Sequence, residues 1–439
     1  MIANSVMSSA PLLPKVAITG LGLVTPLGVS KAAFFAGLRD GHSALARHPQ
    51  LAGLLPGELC GQPIWAGRIQ DFGAEAAIEA SKRRRMPRLS QMAIVAAREA
   101  AGLGPAATAK DAAILSRYRA DRVAVVLGTG LGCLDSTIDF TKSIVDGGMA
   151  AASPAVFPYT VMNASAGLLA IELGLLGPNV TINHRELSLP EAIATGAELL
   201  ATGRADAVLC GGCDELSPWL VHGLWRLSAL SPQIAVASEP PLHPYQLRSP
   251  GIVPGEGAVV VLLERAEATP TAPVLGYLSG WGRAGECRPR VGWSVPAADL
   301  TPPSPAPGAA RAIQQSLAMA AIGTDELSWI AGAGNGTDLD VLETRALRVA
   351  VGDAAERVAI SSIIGQCGEW QTSAGARLGA SLWALSEQRL PGTTFCHQPD
   401  PLRSLPGLLR STTTAQVNHV LVPTLSQGGG NISLLVSRA

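Results

Sequence analysis

The sequence has no uninterrupted apolar run of the length that a transmembrane helix needs, and Met1 to Pro14 lacks the basic start and long apolar stretch of a signal peptide. No membrane partner is expected, and the cytosol is the default location. An excess of charge is also missing. The 33 basic and 34 acidic side chains leave a formal net charge of −1, which gives no reason to expect a nucleic-acid partner. No Gly-x-x-x-x-Gly-Lys-Ser/Thr loop occurs. Gly20-Leu-Gly22 and Gly128-Thr-Gly130-Leu-Gly132 follow strand-like runs, but neither completes Gly-x-Gly-x-x-Gly ahead of a helix with a ribose-binding acid. Tight turns and close packing account for these glycines. The seven cysteines (60, 133, 210, 213, 287, 367 and 396) are odd in number and scattered, which argues against a disulfide framework. Cys210-Gly-Gly-Cys213 is formally a Cys-x-x-Cys, yet no second ligand pair lies nearby and the residues before it read as a buried strand. A strand-end turn is the expectation, not a metal or redox site.

What is present fits a large α/β protein. A chain of 439 residues can bury a substantial core, as two large domains or one duplicated fold. Its 48 glycines, 32 prolines and 47% hydrophobic residues describe many short strands, tight turns and Ala-rich helices. Strand-like runs at Val16–Thr19, Val123–Leu127, Val208–Cys210 and Ala258–Leu263 alternate with helical stretches such as Gln91–Ala101 and Pro190–Thr202. The Pro-rich stretch 268–308 reads as a join between an N-terminal half, 1–267, and a C-terminal half, 309–439. In the second half the pattern restarts, with helices near Ala309–Ala321, Asp340–Val351 and Ala374–Leu385, strands at Trp329–Ile330 and Val358–Ser361, and a last strand at Ile432–Val436. Two comparable halves suggest an internal duplication.

The most informative segment runs Gly177-Pro178-Asn179-Val180-Thr181-Ile182-Asn183-His184-Arg185-Glu186-Leu187-Ser188. It resembles the nucleophile turn of a β-ketoacyl synthase, which reads Gly-Pro-Asn, a short β segment, Thr-Ala-Cys-Ala and then a helix. Counting without a gap puts Glu186 on the cysteine. Other blocks of the resemblance follow in order along nearly the whole chain. They are Val16–Gly28, Arg83–Ala97, Ser153–Asn163 with Ala166-Gly167, and His243-Pro244-Tyr245 through Gly255-Glu256-Gly257-Ala258. In the last block the family's usual Arg-Asp pair falls on Ser249 and Pro250. The resemblance implies the thiolase fold, with duplicated βαβαβαββ halves in a five-layer αβαβα arrangement, and a dimer. No cofactor or metal is implied, and His184 beside Glu186 has no third ligand to make a metal site.

The resemblance also implies that the catalytic positions are degenerate. A carboxylate at 186 cannot form the thioacyl-enzyme of a condensing reaction. Matching the family's first histidine gives Gly332 by ungapped counting from Glu343, or Asn335 by its Gly-Thr turn. Its Lys-x-x-x-Gly-His turn places Ser361 on the lysine and Gln366 on the histidine, and a glutamine side chain cannot exchange a proton near neutral pH. The gating loop, Gly-Phe-Gly-Phe-Gly-Gly in the family, has become Thr424-Leu425-Ser426-Gln427-Gly428-Gly429, so Leu425 and Gln427 stand for lost phenylalanines.

Within the family this pattern is similar to the ketosynthase β subunit, the chain-length factor, which pairs with a ketosynthase α subunit and helps shape the tunnel for a growing polyketide. The usual chain-length factor has glutamine at the cysteine position. Glu186 departs from it and leaves both an aromatic and a reducing, polyene-making system open, with the polyene system the expectation. Glu186 at a helix N-terminus is expected to fill the pocket, with Asn335, Gln366 or Arg185 as partners. Ala155, Val156 and Phe157, with Thr160 and Met162 nearby, are expected to reach the partner's tunnel or to form ordinary interface core. Arg83, Arg84 and Arg85, with Lys82, are candidates to contact an acidic acyl carrier protein, or else form a solvated helix start. Two other function classes stay open: an atypical malonyl-carrier-protein decarboxylase using Glu186, and a homodimeric acyl-binding scaffold.

Overall fold

Near-continuous apolar runs bounded by glycine become strands buried on both faces, because helices cover both sides of the sheet they enter. The computed structural model describes residues 15–104, 107–108, 111–246, 251–268, 273–287 and 306–439. The first half runs β1 (Val16–Val24), α1 (Arg88–Ala100), β2 (Val123–Gly128), α2 (Leu134–Gly147), α3 (Ala164–Leu173), β3 (Asn179–Ile182), α4 (Ser188–Ala201), β4 (Ala207–Asp214), α5 (Pro218–Arg226) and β5 (Gly257–Arg265). The second runs β6 (Gly276–Gly285), α6 (Pro307–Ala320), β7 (Trp329–Ala331), α7 (Leu339–Val351), β8 (Ala359–Ser361), α8 (Ala374–Glu387), β9 (His419–Leu425) and β10 (Gly430–Ser437).

The duplication expected from the sequence is explicit in the topology. The first half orders its strands β3-β2-β4-β5-β1 and the second β8-β7-β9-β10-β6. Directions repeat as well. In the first half β2 is parallel to β3 and β4, while β5 is antiparallel to β4 and β1. In the second, β7 is parallel to β8 and β9, while β10 is antiparallel to β9 and β6. The halves meet through a short β1–β6 ladder, Val16 opposite Leu278, Ala17 opposite Tyr277 and Ile18 opposite Gly276. The second repeat therefore starts at Gly276, inside the stretch read from composition as the join, and not at 309. Residues 269–272 and 288–305 of that stretch lie outside the described residues, as do Met1–Pro14, Ser249 and Pro250.

The ten strands form one continuous sheet through the β1–β6 ladder, and three hydrophobic clusters correspond to three helical layers around its two five-stranded halves, the first and second sheets. One unites α4 and α8 with inward faces of both sheets, including Ile18, Val208, Val259, Val422 and Leu434. A second packs α1 and α3 on the outer face of the first sheet, and a third packs α6 and α7 on the outer face of the second. The period of two along a strand sends Cys210 into the central cluster and Cys213 into the outer one. The Cys-x-x-Cys thus presents its thiols to opposite faces of β4, where burial pushes both pKa values up.

The outer layer depends on close approach. A Cβ at Gly22 on β1 would fall 1.8 Å from the carbonyl oxygen of Ala96 on α1. We expect Gly22→Ala to push α1 off the sheet and lower stability by about 3 kcal/mol, read as a drop in melting temperature.

Candidate functional site at the start of the two central helices

Helices α4 and α8 begin beside one another, with Leu189 in contact with Gly375. Their N-terminal ends converge on one cavity because the two halves repeat the same strand-turn-helix unit. Asp214, at the end of β4, ties the region together. Its buried carboxylate accepts from Gly130 N (2.8 Å), Thr129 Oγ1 (3.2 Å) and Thr372 N (2.8 Å), which joins the β2 loop to the turn before α8.

Glu186 projects from the turn before α4. Arg185 makes that turn in the left-handed region, with φ 51°. Ser188 Oγ fixes it by sharing its one proton between the carbonyls of Arg185 (2.7 Å) and Thr129 (3.0 Å) and accepting from His184 N (2.8 Å). Ser426 Oγ donates to Glu186 Oε2 at 2.7 Å. Oε1 is buried without a hydrogen-bond partner and lies 4.0 Å from Arg185 Nε. The carboxyl thus finds Ser426 and not Asn335 or Gln366, and of the three expected partners only Arg185 is near it, at ion-pair distance.

The cavity beside Glu186 encloses about 930 Å³, counting its open mouth. Its apolar wall includes Leu131, Leu134, Leu220, Leu224, Ile252 and Leu425, and its polar wall Asp214, Glu215, Asn335, Glu343, Glu369 and Arg377. Among the described residues that line it, none is cysteine, histidine or lysine. Gly332 lies outside the wall, against Tyr245, whose hydroxyl stands where a Cβ at 332 would be and donates to Glu343 Oε2 at 3.1 Å. Asn335 turns inward on its own loop, with Oδ1 accepting from Thr337 N and Oγ1. Ser361 is buried under Trp329, accepting from its Nε1 at 3.1 Å. Gln366 is buried on the short helix Ile364–Cys367 and is not part of the wall. Of the expected positions, the structure brings Glu186, Asn335 and Leu425 to one cavity and leaves Gly332, Ser361, Gln366 and Gln427 outside it.

Asp214, Glu215, Glu369 and Arg377 of the wall went unseen in the sequence, since they match no motif. Dehydration raises their carboxyl pKa values, to about 6 for Asp214, about 7 for Glu215 and about 8 for Glu369. At Glu369 the Arg377 guanidinium and the Ser373 hydroxyl pull the other way. Arg377 is itself buried, donating to the carbonyls of Ala331 and Pro423 and to Thr424 Oγ1. A carbonyl or hydroxyl of a neutral ligand can hydrogen-bond to such a wall, but thiolate chemistry has no nucleophile here.

The expected surface residues lie apart from the polar wall. Phe157 is exposed, its ring centroid 5.8 Å from that of Phe140 and tilted by 53°, and Ala155 is exposed beside half-buried Val156. Thr160 Oγ1 bonds back to Phe157 O, and exposed Met162 lies over Gly132, a wall residue. In the basic run, Lys82 pairs with Glu172 and Arg83 with Glu75, while Arg84 and Arg85 are exposed.

A raised carboxyl pKa makes the folded state hold a proton that the unfolded chain releases. Between the unfolded value near 4.3 and about 8, stability therefore falls as pH rises on account of Glu369. Glu369→Gln keeps an acceptor for Ser373 and removes this dependence. It should raise the melting temperature at pH 8 and leave it nearly unchanged at pH 5, measured by calorimetry across that range.

Residues 14–269 match the β-ketoacyl synthase N-terminal domain family and residues 293–397 the β-ketoacyl synthase C-terminal domain family. The chain is 29% identical over 433 residues to the 3-oxoacyl-(acyl-carrier-protein) synthase 2 of Synechocystis sp. (strain ATCC 27184 / PCC 6803 / Kazusa), covering 96% of this chain and 97% of that protein. In fold it is similar to the ishigamide ketosynthase/chain length factor, at TM-score 0.82 and 23% identity over 97% of this chain and 99% of that one. It is likewise similar to a ketosynthase (ApeO) in complex with its chain length factor (ApeC) from Xenorhabdus doucetiae, at TM-score 0.78 and 24% identity over 99% of this chain and 100% of that one. The repeated sheets, the buried helix pair and the matched domains give one conclusion: the chain has the thiolase fold and belongs to the β-ketoacyl synthase family.

Proposed function

We propose that this protein is a chain-length factor, a ketosynthase-like subunit that carries out no condensation alone, pairs with an active ketosynthase and shapes the tunnel for a carrier-bound polyketide, with a polyene as the expected product. The observation that carries this reading is the carboxyl of Glu186 at the start of α4, facing a cavity whose described lining has no thiol, imidazole or amine. Acyl transfer through a thioester needs a thiolate, and enolate formation needs donors or a base that a dead pocket of this kind does not supply. Gly332 or Asn335, Ser361 and Gln366 are read as the other degenerate positions, and Leu425 and Gln427 as the altered gate.

The surface supports a subunit that works in a pair. Among the described residues, strand β3 ends the strand order and has no neighbouring strand on one backbone edge, which invites pairing. Close to it in sequence lie exposed Phe157, Val161, Met162, Ile171 and Leu176, more apolar surface than isolated side chains account for. Solved proteins of similar fold include a ketosynthase in complex with a chain length factor and a type II polyketide ketosynthase with its acyl-carrier protein. The partners proposed here are therefore a ketosynthase α subunit and an acyl carrier protein, with Arg84 and Arg85 the exposed cations for the latter and Arg83 held by Glu75.

One observation favours a second reading, malonyl-carrier-protein decarboxylation. Glu186 Oε1 is an unpartnered acceptor beside the cavity. A homodimeric acyl-binding scaffold is the third. Co-expression with the cognate ketosynthase, native mass spectrometry and an assay with carrier-bound malonate separate all three. A one-to-one heterodimer that makes product only when both chains are present is expected. A homodimer that turns over malonyl carrier protein, with activity lost in Glu186→Ala, would establish the decarboxylase instead, and an inactive homodimer the scaffold.

Residues 155–157 give a finer test. A larger side chain at 156 takes up tunnel volume that a rigid packed wall cannot return. Val156→Phe should shorten the polyketide made by the complex, read by mass spectrometry of the product; unchanged length across a size series at Ala155, Val156 and Phe157 refutes the tunnel role.

A further inference from the structure

The cavity wall ends on Thr424 and Leu425, the last residues of β9, and the chain then turns through 426–429 into β10. Glu186 and Ser426 stand 240 positions apart and belong to different halves of the molecule, yet their side chains meet at 2.7 Å. Ser426 is 5% exposed and the Glu186 side chain 12% exposed, so water competes little for this bond. A hydroxyl donating to a carboxylate is among the stronger hydrogen bonds a protein makes.

Both ends of the bond have rigid mounts. Glu186 is held by the left-handed Arg185 and the three hydrogen bonds of Ser188 Oγ. Ser426 is the hub of its turn. Its N–H donates to Gly430 O (2.9 Å), its carbonyl accepts from Gly429 N (3.0 Å), and its Oγ also accepts from Gly428 N (3.3 Å). Just upstream, Arg377 grips β9 through Pro423 O and Thr424 Oγ1. The strand is thus fixed from α8, and the turn that follows it from the start of α4.

We propose that Glu186 is a latch: its carboxyl holds the β9–β10 turn against the start of α4 through Ser426, keeping Thr424 and Leu425 in the wall and the cavity at one fixed volume. The role is one of positioning and needs no bond-making chemistry. It holds whether or not the chain pairs with a ketosynthase, so a failure of the latch and a failure of the subunit reading are separate results.

Hydrogen–deuterium exchange on the full chain tests it, comparing peptides over 424–430 with peptides over α8. Glu186→Ala and Ser426→Ala should each speed exchange in the turn by about tenfold, the worth of one strong hydrogen bond. The double variant should be no faster than Ser426→Ala alone, because that change already removes the bond to Glu186 along with the acceptor of Gly428 N. Glu186→Gln retains an oxygen for the Ser426 hydroxyl and should stay within about threefold of the unaltered chain. Exchange over α8 should not move. An unchanged turn in Glu186→Ala, effects that multiply in the double variant, a Gln variant as fast as Ala, or acceleration throughout the chain would each overturn the latch.

Discussion

The buried carboxyl of Asp214 is the interaction on which the site depends. Two helices start in the middle of this molecule with buried first residues, Ser188 and Ala374, and those ends are organised by protein groups. Asp214 takes one proton donor from the turn before α8 and two from the β2 loop. That same loop offers the carbonyl of Thr129 to Ser188 Oγ and to Asn183 Nδ2, which positions the turn before α4. One carboxyl at a strand end therefore links both helix starts, and with them the turn that carries Glu186. Burial raises its pKa to about 6 while the three donors act to lower it, so the anion is costly alone and retained by its partners.

The same duplication that brings the helix starts together decided what could be read beforehand. The helices of the second half were legible to within two residues, since long Ala- and Leu-rich runs such as Ala374–Glu387 carry the helical period. Strand β6 was not. Its segment, Gly276-Tyr-Leu-Ser-Gly280-Trp-Gly282-Arg-Ala-Gly285, reads as a turn-rich linker because α6 lies directly on it. A Cβ at Gly280 or Gly282 would come within 2.2 Å of the Ser316 or Ala312 carbonyl oxygens, so packing removes the β-branched residues that mark a strand. The site was half legible for a related reason. A motif marks residues adjacent in sequence, and it located Glu186, Asn335 and Leu425. It could not show Asp214, Glu369 or Arg377, whose roles come from long-range contacts, nor Ser426 as the partner of Glu186, 240 positions away.

If Gly332 is one of the degenerate positions of the proposed reading, its surroundings fix the change. The Tyr245 phenol occupies the space beside it and donates to Glu343, which also accepts from Ala333 N. The ring and its hydroxyl are fully buried, so any larger residue at 332 must displace a satisfied polar group as well as find volume. On the proposed reading the absence of a histidine there is not a vacancy waiting to be refilled.

The wall around Glu186 extends that argument to charge. Asp214, Glu215, Glu343 and Glu369 share the cavity with one guanidinium, Arg377, whose Nη1 and Nη2 donate to carbonyls and Thr424 while its Nε has no hydrogen-bond partner among the described residues. Low hydration raises the pKa of each of these acids, to about 7 at Glu215 and about 8 at Glu369, so those two hold a proton for much of the time near pH 7 and the mutual repulsion is limited. A thiol placed at 186 would have the start of α4 and Arg185 to favour its anion and the buried acids of the wall to oppose it. It would still face a described lining without histidine or lysine. Changing residue 186 alone restores none of these, so on this reading the loss of condensation belongs to the whole wall and not to one position.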